Sequence, residues 1–228
     1  LQPLFRMLPD SKDNRLLEII RRLKIFVAGA GNNEPNRHYK WLSMFPDEDR
    51  RSVIQSTFHD RFTNIGTGLI SELRTASSRD RLNSMLYCDV SFLLPFDMLT
   101  KVDWMSMLNS LEVRSPLLDY RLTELAFSLP GNLKFTKGTL KYLLKTCFRS
   151  WLPAAIQKRP KQGFEIPIGE WLRSSEKFKK LFSETVYSGD IQTQGIFNRK
   201  AIEYLLVEHT TRKRDNTHKL WAIMVFQW

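Results

Sequence analysis

Apolar residues recur at intervals of three and four along most of this chain, and proline and glycine fall mainly between the periodic stretches. That spacing puts apolar side chains on one face of a helix, whereas a half-buried strand needs strict alternation. The pattern predicts a mainly α protein with few or no strands, packed helix on helix as a single domain over residues 1–228. In "NRLLEIIRRLKIFV", Leu16, Ile19, Ile20, Leu23 and Val27 share a face, and Asp10 and Ser11 ahead of them suit a cap. "AGAGNN" then reads as a helix terminus. It lacks the GxxxxGK[ST] spacing and the preceding strand of a phosphate loop. Pro46 followed by Asp47, Glu48 and Asp49 puts carboxylates in a first turn, where they favour the helix dipole.

Further on, Ser77 or Ser78 suits the cap of a helix through "RDRLNSMLYCDVSFLL", and Pro95 is expected to separate it from a second helix running from Phe96 to about Ser110. Pro116 disfavours helical geometry at Ser115, so "LEVRSPLLD" should be extended before "LDYRLTELAFSL" resumes helix. "PGNLKFTKG" reads as a turn with room for a very short strand, and Thr139 as a cap for "LKYLLKTCFRSWL". "QKRPKQGFEIP" reads as an ordered loop. Helices over 168–173, 176–187, 197–209 and 216–228 complete the chain.

Cys88 and Cys147 are too few for a disulfide framework and have no zinc-type spacing, which points to a reducing, intracellular setting. No apolar run approaches the roughly 18 residues of a membrane span, so no membrane association is expected. The four histidines, His38, His59, His209 and His218, lack ligand spacing and are expected at the surface or partly buried, with no metal site. Trp41, Trp104, Trp171, Trp221 and Trp228 lie in apolar helical contexts that favour core packing over base stacking.

Lys plus Arg number 35 against 24 Asp plus Glu, an excess that suits polyanions. The excess is local: between Leu125 and Phe164 no acidic residue occurs, while Lys134, Lys137, Lys141, Lys145, Arg149, Lys158, Arg159 and Lys161 do. Lys137, Lys141 and Lys145 follow one another at one-turn spacing and are expected to project from one side of a helix, where the backbone N–H groups of the helix start and Lys141 in its first turn would suit phosphate or pyrophosphate oxygens; a solvated lysine face is the plainer alternative. Asp103, Glu112, Arg114 and Asp119 crowd an apolar stretch. Either they frame a site, or Asp119 caps the next helix while Glu112 pairs with Arg114 or Arg121.

Taken together, "KVDWMSMLNSLEVRSPLLD", the Lys-Tyr pair at 141–142 and "RPKQGF" occur in an order that resembles the C-terminal part of glutamine-hydrolysing asparagine synthetases, over about Leu93 to Arg173. The resemblance implies the helical C-terminal portion of an α/β ATP-pyrophosphatase-type synthetase domain. It also implies a cytoplasmic ligase of asparagine biosynthesis that uses ATP, Mg²⁺ and aspartate. The aspartate carboxylate is adenylated, pyrophosphate leaves, and ammonia displaces AMP. Lys141 matches the family's catalytic lysine; Arg159 and Lys161 match a basic loop on the pyrophosphate side; Asp103, Glu112, Arg114 and Asp119 match the segment beside the nucleotide pocket.

The family's SGGxDS loop, its GEGxDE segment and its glutaminase half are absent, and Leu1 is not a cysteine nucleophile. The chain alone is therefore expected to be inactive, to bind no cofactor by itself and to partner a missing N-terminal portion; a homodimer stays open. "VRSP" in place of a bulkier pre-proline residue leaves room for a β-lactam synthetase or peptide cyclase branch. The rival reading is a non-catalytic basic helical module binding nucleic acid or protein, of which nucleic acid is the less expected partner; a regulatory descendant of the synthetase is a third.

Overall fold

The computed structural model describes residues 15–30, 34–62, 66–75, 80–159, 166–187 and 194–228. In chain order the helices are α1 (Arg15–Ala30), α2 (Glu34–Leu42), α3 (Asp47–Val53), α4 (Thr67–Thr75), α5 (Arg81–Cys88), α6 (Thr100–Met107) and α7 (Tyr120–Ser128). After the short α8 (Gly131–Lys134) come β1 (Phe135–Thr136) and β2 (Thr139–Leu140). The chain continues with α9 (Tyr142–Cys147), α10 (Ala154–Lys158), α11 (Ile168–Ser174), α12 (Glu176–Val186), α13 (Arg199–Thr210) and α14 (Thr217–Gln227). The fold is mainly α, with one two-stranded antiparallel hairpin among the described residues. The chain groups into two compact units, Leu1–Gly66 with Phe164–Trp228, and Thr67–Gly163.

The first unit has a closed apolar core. Leu172 of α11, Phe182 and Val186 of α12, Ile202 and Leu205 of α13, and Leu220, Ile223 and Met224 of α14 meet with Val53 of α3. Leu220, Ile223 and Met224 are three and four residues apart, so α14 turns one stripe inward. The Ser175 hydroxyl accepts from the Phe178 N–H at the start of α12, and the Asn198 side chain accepts from the Ala201 N–H at the start of α13. Both relieve amides that a helix leaves unpaired at its first turn. A backbone bridge, with the Asn198 N–H donating to the Val53 carbonyl at 2.6 Å, ties the end of α3 to the entry of α13.

His209 is more buried than the surface or partly buried position expected of it: it is fully buried, and His38 is nearly so. Its Nδ1 accepts from the Asn216 N–H at 3.3 Å, which leaves the proton on Nε2 to donate to the Gly169 carbonyl at 2.9 Å. The ring joins α11 to the α13–α14 turn.

The second unit differs from expectation at three places. Ser77 and Ser78 lie outside the described residues, as do Asp10 and Ser11; the carboxylate that caps α5 is Asp80, which accepts from the Leu82 and Asn83 N–H groups at 3.0 and 3.2 Å. Pro95 does not divide the helix. Between α5 and α6, residues Asp89–Leu99 form a π-helical segment that continues both, and Pro95 sits within it. The wider turn accommodates the missing proline N–H, and the Thr100 hydroxyl donates to the Pro95 carbonyl at 2.7 Å.

The third difference concerns the lysines. Thr139 is paired in β2 and caps nothing; Lys137 and Gly138 form the hairpin turn, both with positive φ (47° and 77°), as a tight hairpin of matching twist demands. Helix α9 starts only at Tyr142. Lys137, Lys141 and Lys145 therefore occupy a turn, a cap and a helix and share no helical face. The extended geometry before Pro116 is as expected, with Ser115 at φ −110° and ψ 98°. Trp104, Trp171, Trp221 and Trp228 are 65%, 41%, 38% and 82% exposed, so the core positions expected for them are not observed. No described helix is long and apolar enough to cross a membrane.

Candidate functional site

Lys141 sits one residue beyond β2, as the cap residue of α9, with φ 56° and ψ 39°. A non-glycine residue in this left-handed region is disfavoured by its own Cβ, at a cost of order 1 kcal/mol, and persists only where the neighbours impose it. Here the hairpin before it and the Lys145 N–H, which donates to the Lys141 carbonyl at 2.9 Å, fix the backbone. The side chain is exposed, and among the described residues its ammonium has no ion-pair or hydrogen-bond partner.

The charged turn after α6 has closed on itself. Arg114 Nε donates to Glu112 Oε1 at 2.7 Å. Asp119 caps α7 by accepting from the Arg121 N–H at 2.9 Å, and the same carboxylate takes Arg121 Nε at 2.9 Å and Nη2 at 2.8 Å. The Arg121 side-chain bonds, reinforced by its backbone N–H, hold the Asp119 carboxyl below the usual carboxylate range and push the Arg121 guanidinium up. With Arg114 and Glu112 85% and 70% exposed, their pair shapes the turn more than it stabilises the fold.

An open pocket of about 600 Å³ lies against this turn, lined by Arg114, Ser115, Pro116, Leu118, Asp119, Arg121 and Leu122. The structure thus brings Arg114 and Asp119 to one pocket, with Glu112 bonded to Arg114. Neither Lys141, Arg159 nor Asp103 belongs to its described lining. Asp103 is an exposed residue of α6 whose carbonyl accepts the Ser106 hydroxyl at 3.0 Å. Arg159 ends α10 in an extended conformation, its N–H donating to the Ile156 carbonyl at 3.3 Å. Lys161 and the rest of "PKQGFE" lie outside the described residues.

Arg121 is the functional-looking residue that the sequence reading underused, as no more than an alternative partner for Glu112. Its signal is the spacing Asp119-x-Arg121 across a helix start, which lets one carboxylate cap the helix and take a guanidinium fork together. Among the described residues no group of three or more His, Cys, Asp or Glu could hold a metal ion. The carboxylates of Glu112 and Asp119 are each committed to an arginine. The described residues therefore do not fit a Mg²⁺ site. Cys88 is buried, which pushes its thiol up to about 11 and leaves it unreactive.

A family model described as asparagine synthase matches residues 8–228. The chain is 34% identical over 153 residues to an asparagine synthetase (glutamine-hydrolyzing) 1 of Bacillus subtilis, a match covering 66% of this chain and 23% of that protein. It is 33% identical over 147 residues to a putative asparagine synthetase of Mycobacterium tuberculosis, covering 64% and 22%, and 38% identical over 102 residues to that of Gallus gallus, covering 43% and 17%. Thus the chain spans less than a quarter of the length of the curated relatives it matches. No solved structure matches it. With the family match running through the hairpin, Lys141 and the Glu112–Asp119 turn alike, the chain belongs to the asparagine synthase family.

Proposed function

We propose that this chain works as the helical C-terminal part of an ATP-dependent, asparagine synthetase-like amidotransferase in the cytoplasm, completed by an N-terminal portion that carries the phosphate-binding loop and the glutaminase. In the reaction, a carboxylate oxygen of aspartate attacks the α-phosphorus of ATP and the bond to pyrophosphate breaks. Ammonia then attacks the acyl carbon, loses a proton, and AMP leaves with the electron pair of the broken C–O bond. Lys141 stabilises negative charge on the phosphate and acyl oxygens as it develops, a role that suits a fixed cation. Arg159 and Lys161 attract the departing pyrophosphate. Asp103, Glu112, Arg114 and Asp119 shape the wall beside the nucleotide.

The observation that carries this reading is Lys141 itself: a left-handed, non-glycine backbone at the exit of a hairpin, bearing an ammonium with no partner among the described residues. Strain maintained at a charged residue is more economically explained by a task than by packing. The exposed apolar residues of the second unit, Phe96, Trp104 and Leu108 among them, support a covering portion outside this chain. The test is ATP–pyrophosphate exchange with aspartate, after mixing the chain with the N-terminal portion of the Bacillus subtilis relative. Exchange should appear on mixing, and Lys141→Ala should lower it by about 100-fold or more. Exchange that survives the substitution would remove Lys141 from the chemistry.

A further inference from the structure

The hairpin that ends in Lys141 has a fixed base, and the residues that fix it lie about 50 positions earlier in the sequence, at the start of α5. Asp80 Oδ1 caps α5, while its Oδ2 accepts a short hydrogen bond from the Gly131 N–H. The carboxyl is held below its ordinary range, chiefly by the Gly131 bond. A Cβ on Gly131 would lie 2.8 Å from Asp80 Oδ1 and 2.9 Å from Leu82 Cβ, so the two segments touch backbone to side chain.

Asn83, 9% exposed, continues the same clamp. Its Nδ2 donates to the Leu129 carbonyl at 2.9 Å, and its Oδ1 accepts a short bond from Lys134 Nζ, which also stands 5.1 Å above the Phe127 ring. Partial burial pulls the Lys134 ammonium below its usual range. Residues 129, 131 and 134 are thereby held by two adjacent side chains.

From Lys134 the chain passes directly into β1. Phe135 pairs with Leu140, so Lys134 and Lys141 are the two residues immediately outside that pair, one on each leg of the hairpin. Holding Lys134 therefore sets where the base of the hairpin lies, and with it the backbone from which the Lys141 side chain extends. It also commits the Lys134 ammonium to an amide oxygen and an aromatic face, rather than to a ligand near Lys141.

We propose that Asp80 and Asn83 are positioning residues for Lys141: by clamping residues 129–134 they fix the hairpin and the left-handed cap that aim its ammonium. This inference rests on the catalytic role proposed for Lys141. A catalytic cation displaced by about 1 Å loses rate without losing ground-state binding, because it acts on charge that develops in the transition state.

The experiment uses the chain mixed with the N-terminal portion of the Bacillus subtilis relative and compares Lys141→Ala, Asn83→Ala, Asn83→Asp and Ser175→Ala. Asn83→Ala should lower kcat for exchange about 10- to 100-fold, with KM for ATP within about twofold. Asn83→Asp keeps the acceptor for Lys134 and loses the amide donor, and it should fall between wild type and Asn83→Ala. Ser175→Ala removes a helix cap in the other unit and should leave kcat within about twofold at equal folded fraction. Should Asn83→Ala not fold, Asn83→Asp and Asp80→Asn carry the same comparison.

In the chain alone, the Lys141 backbone carbon shifts that report its left-handed φ should move in Asn83→Ala and stay in Ser175→Ala. If Lys141→Ala abolishes exchange while the clamp variants keep wild-type kcat and unmoved Lys141 shifts, the positioning role is wrong and the reading of Lys141 stands. If wild-type mixing gives no exchange, or Lys141→Ala retains it, the reading of Lys141 fails and the inference falls with it.

Discussion

The helices from α11 to α14 and the run from α5 through α7 are both rich in apolar residues, yet they end in opposite states. In the first region Leu172, Phe182, Ile202, Leu220 and Ile223 are at most 1% exposed. In the second, Phe96, Leu108 and Leu117 are 76%, 77% and 68% exposed, and the described buried residues are Asn83 and Cys88. One region has found its partners within the chain; the other holds its shape through caps, a hairpin and a polar clamp while its apolar surface faces outward. Apolar content alone thus does not say whether a segment forms a core. The π segment between α5 and α6, in which Asp89, Ser91 and Asp97 are the only polar residues, needs cover on more than one side and is only partly covered here.

The comparison can be broken most forcefully in the closed region. Phe182→Ala should destabilise the chain by about 3–5 kcal/mol in urea unfolding, because the side chain is replaced by a cavity among α11 to α14. An effect near zero would mean that this core is loose. The matching test in the open region is Trp104→Ala. In the chain alone it should change stability by no more than about 0.5 kcal/mol. If the exposed face receives the N-terminal portion, the same substitution should weaken that association by about 2 kcal/mol, measured by calorimetric titration, as for a buried tryptophan at an interface.

A smaller effect tests the clamp. Asp80→Ala should cost about 1 kcal/mol as a lost helix cap and should flatten part of the acid limb of the stability profile. Because the folded carboxyl is held below its ordinary value, its contribution is present above the unfolded value, roughly pH 4, and is lost as pH falls through the folded one. Wild type should therefore lose stability below about pH 4 more steeply than Asp80→Ala. Smallest of all, Glu203→Ala breaks an exposed 2.9 Å pair with Arg199 and should shift stability by no more than about 0.5 kcal/mol.

Much of the closed region was legible in the sequence: the helices expected over 168–173, 176–187, 197–209 and 216–228 are observed as Ile168–Ser174, Glu176–Val186, Arg199–Thr210 and Thr217–Gln227. The extended bend at Ser115 was legible too, because proline constrains the residue before it. The π segment was not: Pro95 ordinarily signals a break, and nothing local announces that five-residue hydrogen bonding will carry the helix past it. The lysine cap was missed for a related reason. Thr139 and Lys141 sit in a pattern that suits helix equally well, and the Lys137–Gly138 turn wins only because the strands on either side pair. The buried state of His209 depends on the Asn216 amide and the Gly169 carbonyl, 7 and 40 residues away, and periodicity does not reach that far. At the candidate site the residue types could be named in advance, whereas the mutual engagement of Asp119 with Arg121 depended on a helix start that geometry had to supply.

Hydrogen exchange across the whole chain, with and without the N-terminal portion of the Bacillus subtilis relative, tests the central claim most directly. The account predicts strong protection in α11 to α14 in both states, and protection that rises on mixing across α5 to α7 and the hairpin before Lys141. Protection that rises instead in α11 to α14, or in neither region, would contradict it.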